Sequence, residues 1–214
     1  MNPRNRVTAA LLLAGSLVAS LIVQAGCGSG TPPAHVGKVT PQGRVFEADD
    51  FSITVPLRFM ATGLSAGATR YQAEQAGFRK AQTDAVVTMS EVAVKSGLLR
   101  FYLFDGTSTD YERADRIVVC SFPSGLFSRT DMGIADQRLQ LWLDMEPVKW
   151  EQIVVNGREV DRLHARAPRF GTETFCYYLD AGATTYVVQF GTKPERVEKL
   201  LAESEEVMRR FTVK

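Results

Sequence analysis

Residues 152–166 hold the feature that most narrows what this chain can fold into. Gln152–Val155 and Arg158–Arg166 are alternating runs joined by Asn156-Gly157 alone. An Asn-Gly connection supplies the positive φ angles of a type I′ turn, whose twist matches that of the flanking strands, so the segment predicts a tight antiparallel hairpin. A second hairpin follows, Thr172–Leu179 and Thr184–Phe190 around Asp180-Ala181-Gly182-Ala183. The period then changes. Val197, Leu200, Leu201, Val207, Met208 and Phe211 form one apolar stripe of a helix. Glu195, Glu198, Lys199, Glu203, Glu205, Glu206 and Arg209 fall outside that stripe and are expected to meet water. Thr192 with Glu195 three residues on reads as a capping box, and Pro194 sits in the first turn where its missing N–H costs little.

The earlier part of the chain reads mainly as strands. Arg44–Glu47 and Phe51–Val55 are two short ones separated by Asp49-Asp50, the second ended by Pro56. Asp84–Val94, with Ala85-Val86-Val87-Thr88-Met89 and then Val92 and Val94, reads as a core strand. Leu98–Phe104 is another, closed by Asp105-Gly106. Thr130–Met145 fits a helical face through Ile134, Arg138, Leu141, Trp142 and Met145, although Leu139, Leu141 and Leu143 also alternate; helix is the reading taken. An antiparallel sheet flanked by helices, with a C-terminal amphipathic helix packed on it, is an α+β architecture. Residues 44–214 are one domain's worth of chain, and 45% hydrophobic content suits a packed core.

The N-terminus is of a different kind. Arg4 and Arg6 precede an apolar run from Val7 to Val23, then Gln24-Ala25-Gly26-Cys27. A basic region, an apolar region and small residues before a cleavage point make a secretory signal. Ala25-Gly26-Cys27 resembles the lipobox of bacterial lipoproteins, whose cysteine becomes the acylated N-terminus. That resemblance implies a signal peptide over 1–26, palmitate-type acyl chains on Cys27, and a protein tied to a membrane outside the cytoplasm, in the periplasm or at the cell surface. Gln24 stands where the family usually has an aliphatic residue. Without cleavage, Val7–Ala25 lies near the lower limit of about 17 residues for a membrane span, with Arg4 and Arg6 on the cytoplasmic side. Residues 27–43 carry Gly and Pro and almost no large apolar side chains, so they read as a lipid-anchored flexible tether with a reach of about 20–25 Å.

Phe51-Ser52-Ile53-Thr54-Val55-Pro56, Val155-Asn156-Gly157-Arg158-Glu159-Val160, Tyr177-Tyr178-Leu179, Tyr186-Val187-Val188-Gln189-Phe190 and the closing amphipathic helix together resemble the family of the photosystem II extrinsic subunit PsbP and its bacterial lipoprotein relatives. The family usually shows Gly-Trp soon after the first strand's proline; this chain has Arg58-Phe59-Met60. The resemblance covers about half the domain, mostly residues 150–214. It implies an α/β/α sandwich used for binding and assembly, and it brings no catalytic residues or cofactors.

Charge and motif reading limit the chemistry further. Lys and Arg number 25 against 24 Asp and Glu; removal of Arg4 and Arg6 leaves 23 against 24, close to −1. A nucleic-acid-binding domain would carry a clear basic excess. With Cys27 assigned to lipid, Cys120 and Cys176 are an even pair in an oxidising compartment. A bridge between them would close a long loop, worth about 4 kcal/mol in the chain-entropy model; two separate buried thiols are the alternative. No zinc-type spacing occurs, and no metal site is expected. Gly63-Leu64-Ser65-Ala66-Gly67 has the pattern of a hydrolase nucleophile elbow, with His164 the one histidine of the domain to serve as base. The strand before it and a Gly-rich oxyanion loop are missing from the pattern, so a non-enzymatic module is expected and an exported serine hydrolase using Ser65 and His164 is the alternative, beside a purely structural envelope protein. Arg158, Arg162, His164 and Arg166 share one strand face, interrupted only by Val160. That stripe is the candidate site for a protein or anionic envelope partner.

Overall fold

The computed structural model describes residues 37–61, 97–108, 114–124, 146–168 and 171–214, together with single positions between 70 and 95. Arg4, Arg6, Cys27, Ser65 and the expected helix over 130–145 lie outside the described residues. Two antiparallel sheets are formed. The smaller has strand order β1-β2-β3-β11, from β1 (Lys38–Thr40), β2 (Gly43–Glu47), β3 (Phe51–Val55) and β11 (Thr212–Val213). The larger has order β4-β5-β6-β10-β9-β8-β7, from β4 (Phe59–Ala61), β5 (Leu99–Asp105), β6 (Arg116–Pro123), β7 (Glu146–Val155), β8 (Arg158–Ala167), β9 (Thr172–Ala181) and β10 (Thr184–Thr192). A short 3₁₀ turn, Pro194–Arg196, leads into the C-terminal helix Val197–Arg209.

Local chemistry sets the connections that sequence reading expects. Asn156 and Gly157 have φ values of 52° and 75°, and Val155 pairs with Arg158 across them, as a two-residue hairpin requires. At the β1–β2 hairpin, Gly43 takes φ 138°, and a Cβ there would overlap the Val55 carbonyl of the neighbouring strand. That hairpin begins inside the segment that composition assigns to the tether.

The core lies between the sheets and under the helix. Phe46, Phe51, Ile53 and Val55 from the small sheet meet Phe101, Leu103, Ile117, Val119, Tyr177, Val188 and Phe190 from the large one. Leu200, Val207, Met208 and Phe211 of the helix and its exit are buried against the same cluster. Phe51 is its hub, with ring centroids 5.5 Å from Phe101, 5.3 Å from Tyr186 and 5.2 Å from Phe211. Aromatic pairs at such distances add to the gain from burial alone.

Several expectations are corrected. The described residues form two sheets rather than one, and the fully described elements include one α-helix, so the flanking by helices is met on the C-terminal side. Asp84, Val87, Thr88 and Glu91, expected in a core strand, are helical. Thr83 and Val87 are buried, Thr88 and Lys95 are exposed, and Glu91 pairs with Lys95 at 3.5 Å, an i,i+4 contact. The β-branched run made the segment look like a strand, while its burial follows the helical period. The capping box does not form: Thr192 ends β10 and its hydroxyl donates to Asp115 at 2.6 Å, while Lys193 precedes the 3₁₀ turn without a side-chain cap. Cys120 and Cys176 are free, buried thiols. Cys120 on β6 faces Val187 and Cys176 on β9 faces Gln189, with all of β10 between them. Two strand spacings, about 10 Å, exceed the reach of a disulfide. Burial pushes both thiols up to about 12, so they are inert core residues.

Candidate anion-binding site

The basic stripe of β8 shares one face, as alternation predicts, and that face is the one packed toward the core and the helix. The structure gives its members three different fates. Arg162 is at the centre. Its Nε and Nη2 donate to Glu151 Oε1 on β7 at 3.0 and 2.8 Å, and Nη1 donates to Glu205 Oε1 of the helix at 2.7 Å. Nη1 also lies 3.3 Å from the Tyr177 hydroxyl, which is 2.6 Å from Ser204 Oγ; Ser204 in turn donates to the Leu201 carbonyl at 2.7 Å. The donors run in one direction: guanidinium to Tyr177, Tyr177 to Ser204, Ser204 to backbone. Lys149 Nζ, 2.8 Å from Glu151 Oε2, completes a group in which two cations balance two carboxylates.

Burial alone would lower the Arg162 pKa, but the bonds to Glu205, Tyr177 and Glu151 outweigh it and raise it. The Lys149 hydrogen bond, against partial burial and with help from Arg162, holds the Glu151 carboxyl below its ordinary range. Burial raises Tyr177 despite its bonds to Ser204 and Arg162. Arg162 therefore stays charged as a fixed strut between sheet and helix.

His164 and Arg166 share one acceptor. His164 Nε2 lies 2.6 Å from Glu173 Oε2 and Arg166 Nε lies 3.2 Å from Glu173 Oε1. The His164 ring stacks on Phe175 at 4.6 Å. The imidazole is half-buried and held by Glu173 and Phe175, and Ser65, its expected partner in the hydrolase reading, is outside the described residues. A triad would also need an aspartate, and three that lie between Ser65 and His164 in the chain are engaged elsewhere: Asp84 pairs with Arg70, and Asp105 and Asp115 both bind Arg58.

Arg158 is different. It is exposed beside the Asn156-Gly157 turn and makes no ion pair among the described residues. It borders a pocket of about 180 Å³ lined by Val155, Leu179, Met208, Phe211 and Val213 together with Asn156 and Thr212, so polar and apolar surface share it about equally. Asn156 Nδ2 donates to the Arg209 carbonyl at 2.7 Å, which caps the end of the helix and fixes the hairpin turn against it. The volume is below the 300–1,000 Å³ typical of drug-sized ligands and suits a short chain or one side chain. A lone guanidinium in the lining of a hollow that also offers apolar side chains favours a group that is anionic at one end and apolar at the other.

Sequence reading missed two further ion centres. Arg58, between β3 and β4, binds Asp105 at 3.0 Å, Asp115 at 3.4 Å and Glu203 of the helix, and its guanidinium lies 4.6 Å above the Phe59 ring. Burial would lower the Arg58 pKa; the three carboxylates reverse that and raise it. Asp115 also takes Arg196 at 2.7 Å. Asp50 accepts from Arg100 at 2.7 Å and from the Tyr186 hydroxyl at 2.9 Å. Burial opposes ionisation of Asp50, but Tyr186 and Arg100 prevail and lower its pKa; burial and Asp50 push Tyr186 up to about 12. Glu203 and Glu205, expected in water, are thus partners of Arg58 and Arg162. Among the described residues there is no group of three or more His, Cys, Asp and Glu placed to hold a metal, and no helix long and apolar enough to cross a membrane.

No family model matches the chain, and no curated protein does. Solved structures similar to it include cyanobacterial PsbP (CyanoP) from Synechocystis sp. PCC 6803, at 12% identity over 88% of this chain and 97% of that one, with a TM-score of 0.49. Others are LpqN, involved in cell envelope biogenesis of Mycobacterium tuberculosis (10% identity, 87% and 99% covered, TM-score 0.44), and the Saccharomyces cerevisiae Ran-binding protein Mog1p (10%, 77% and 90%, 0.43). A PsbP protein is thus among the structural neighbours; no site residue is carried across at these identities.

Proposed function

We propose that the protein is an exported, membrane-tethered binding module, not an enzyme, and that it holds a small anionic amphiphile, a carboxylate or phosphate attached to a short apolar chain, at the Arg158 pocket. One observation carries the reading. Of four basic residues on one strand face, three are engaged by Glu151, Glu205 and Glu173, while Arg158 alone has no ion pair among the described residues and lines a small hollow with Leu179, Met208 and Phe211. The signal-like N-terminus and Cys27 support the location. A tether reaching about 20–25 Å would keep the domain close to lipid headgroups, where such amphiphiles are abundant.

The test is a titration of the chain with octanoate, followed by amide chemical shifts of Val155, Asn156 and Thr212. Arg158→Glu is expected to weaken binding by at least about tenfold with the fold intact, since Arg158 is exposed and makes no internal pair. Equal binding by Arg158→Glu and the natural chain would overturn the proposal. Ester turnover abolished by Ser65→Ala would establish the hydrolase alternative instead.

A further inference from the structure

β7 ends the large sheet among the described residues, and it does not look like a guarded edge. It is ten residues long, and on its face away from the core Val148, Trp150 and Val154 are exposed, Val154 by 72%. The opposite edge, β4, has three residues. Natural sheets usually shorten, charge or bend an edge strand because its unpaired N–H and C=O groups template another chain. Here such devices are confined to the first half of β7, where Pro147 sits beside a register shift between Pro147 and Lys149 and the Lys149 side chain is exposed. From Lys149 to Val155 the pairing with β8 is regular. Counting back from the two-residue turn, Val155, Ile153 and Glu151 aim their backbone groups at β8, so Trp150, Gln152 and Val154 aim theirs outward.

We propose that this edge pairs with β7 of a second copy, antiparallel about a two-fold axis at Trp150, to make one continuous sheet. Charge selects that register. Centred on Trp150, each Lys149 lies opposite Glu151 of the other copy, Trp150 lies opposite Trp150, and Val148 lies opposite Gln152. Centred on Lys149 or on Glu151, like charges face each other, which destabilises a cross-strand pair. Centred on Gln152, Lys149 and Glu151 both face apolar residues. The Trp150 register alone gives two opposite-charge pairs on one face and an aromatic pair on the other. It is isologous, as a two-fold dimer must be, and it closes both β7 edges, so pairing stops at two. Trp150 already stacks on Tyr178 at 5.7 Å, which fixes the ring at the surface and leaves little side-chain freedom to lose.

Native mass spectrometry of the chain released from membranes in mild detergent tests this. The natural chain is expected to be dimeric. Gln152→Pro deletes an outward N–H and keeps the backbone bonds to β8, giving up the exposed side-chain bond from Gln152 Nε2 to Glu159 at 3.1 Å, and Lys149→Glu, at a side chain 63% exposed, sets like charges opposite each other. Both are expected to weaken dimerisation by at least about tenfold. Should Gln152→Pro unfold, Lys149→Glu still decides the matter. Arg158→Glu is expected to stay dimeric, so failure of this proposal and failure of the amphiphile site are read separately. A monomeric natural chain, a dimer unaffected by Lys149→Glu, or a different protein held at β7 would each overturn the proposal.

Discussion

Arg158 and Arg162 lie four residues apart on the same face of β8, yet one is exposed and the other is 9% exposed as a side chain. The difference is made by the helix. Glu205 and Ser204 stand over the middle of β8, so the guanidinium there meets a carboxylate, a tyrosine hydroxyl and a second carboxylate from β7. The helix ends at Arg209, whose carbonyl is taken by Asn156 at the turn. Beyond that point the C-terminal helix supplies no acid, and Arg158 is left in the lining of the hollow without an ion pair among the described residues. A stripe that is uniform in sequence becomes a strut in the middle and an exposed cation with no ion pair among the described residues at the end.

The largest test of this contrast is Arg162→Ala, which leaves Glu151 and Glu205 without their buried partner. Glu205 is 40% exposed as a side chain and Glu151 keeps Lys149, so the loss of Arg162 is expected to cost about 1–3 kcal/mol, whereas Arg158→Ala is expected within about 0.5 kcal/mol of the natural chain. Urea denaturation of the two variants side by side checks it; similar losses at both positions would break the contrast.

Acid provides the next test. Glu151 and Asp50 have pKa values below their ordinary 4.5 and 3.8 in the folded chain. The folded state then binds fewer protons than the unfolded one between the lowered and ordinary values. The stability these groups contribute is full above those ordinary values and is lost as pH falls through the lowered ones. Denaturation midpoints are expected to fall below about pH 4.5, and to fall less steeply once Arg162 is removed. A midpoint that holds steady down to pH 3 would contradict the assignment.

The smallest effect belongs to the turn. Asn156→Ala removes the bond to the Arg209 carbonyl and places alanine at φ 52°, at an expected cost of about 1–2 kcal/mol. The same change loosens the pocket rim, so octanoate binding is expected to weaken while Arg162 and its partners keep their chemical shifts.

The parts that sequence reading found are those fixed by neighbours along the chain. Asn156-Gly157 dictates its turn through backbone sterics, and Phe51–Val55 and the helical stripe of Leu200, Val207, Met208 and Phe211 show their periods directly. Alternation also placed Arg158, Arg162, His164 and Arg166 on one face. It did not say which face, because that depends on what packs above the sheet. Glu203 and Glu205 looked solvated for the same reason: a helical wheel cannot show Arg58 and Arg162 arriving from 145 and 43 residues away. Thr192 looked like a cap because Asp115, 77 residues earlier, is absent from any local window. Asp84–Glu91 carried both periods, and burial of Thr83 with Val87 fits the helical one.

The most direct measurement compares octanoate with octylammonium, which share a chain length and differ in the sign of the headgroup. The natural chain is expected to bind octanoate and reject octylammonium, and Arg158→Glu is expected to reverse that preference while Arg166→Glu leaves it unchanged. Equal binding of the two amphiphiles by the natural chain, or a preference that ignores Arg158→Glu, would show that the hollow is only a greasy surface and that Arg158 selects nothing.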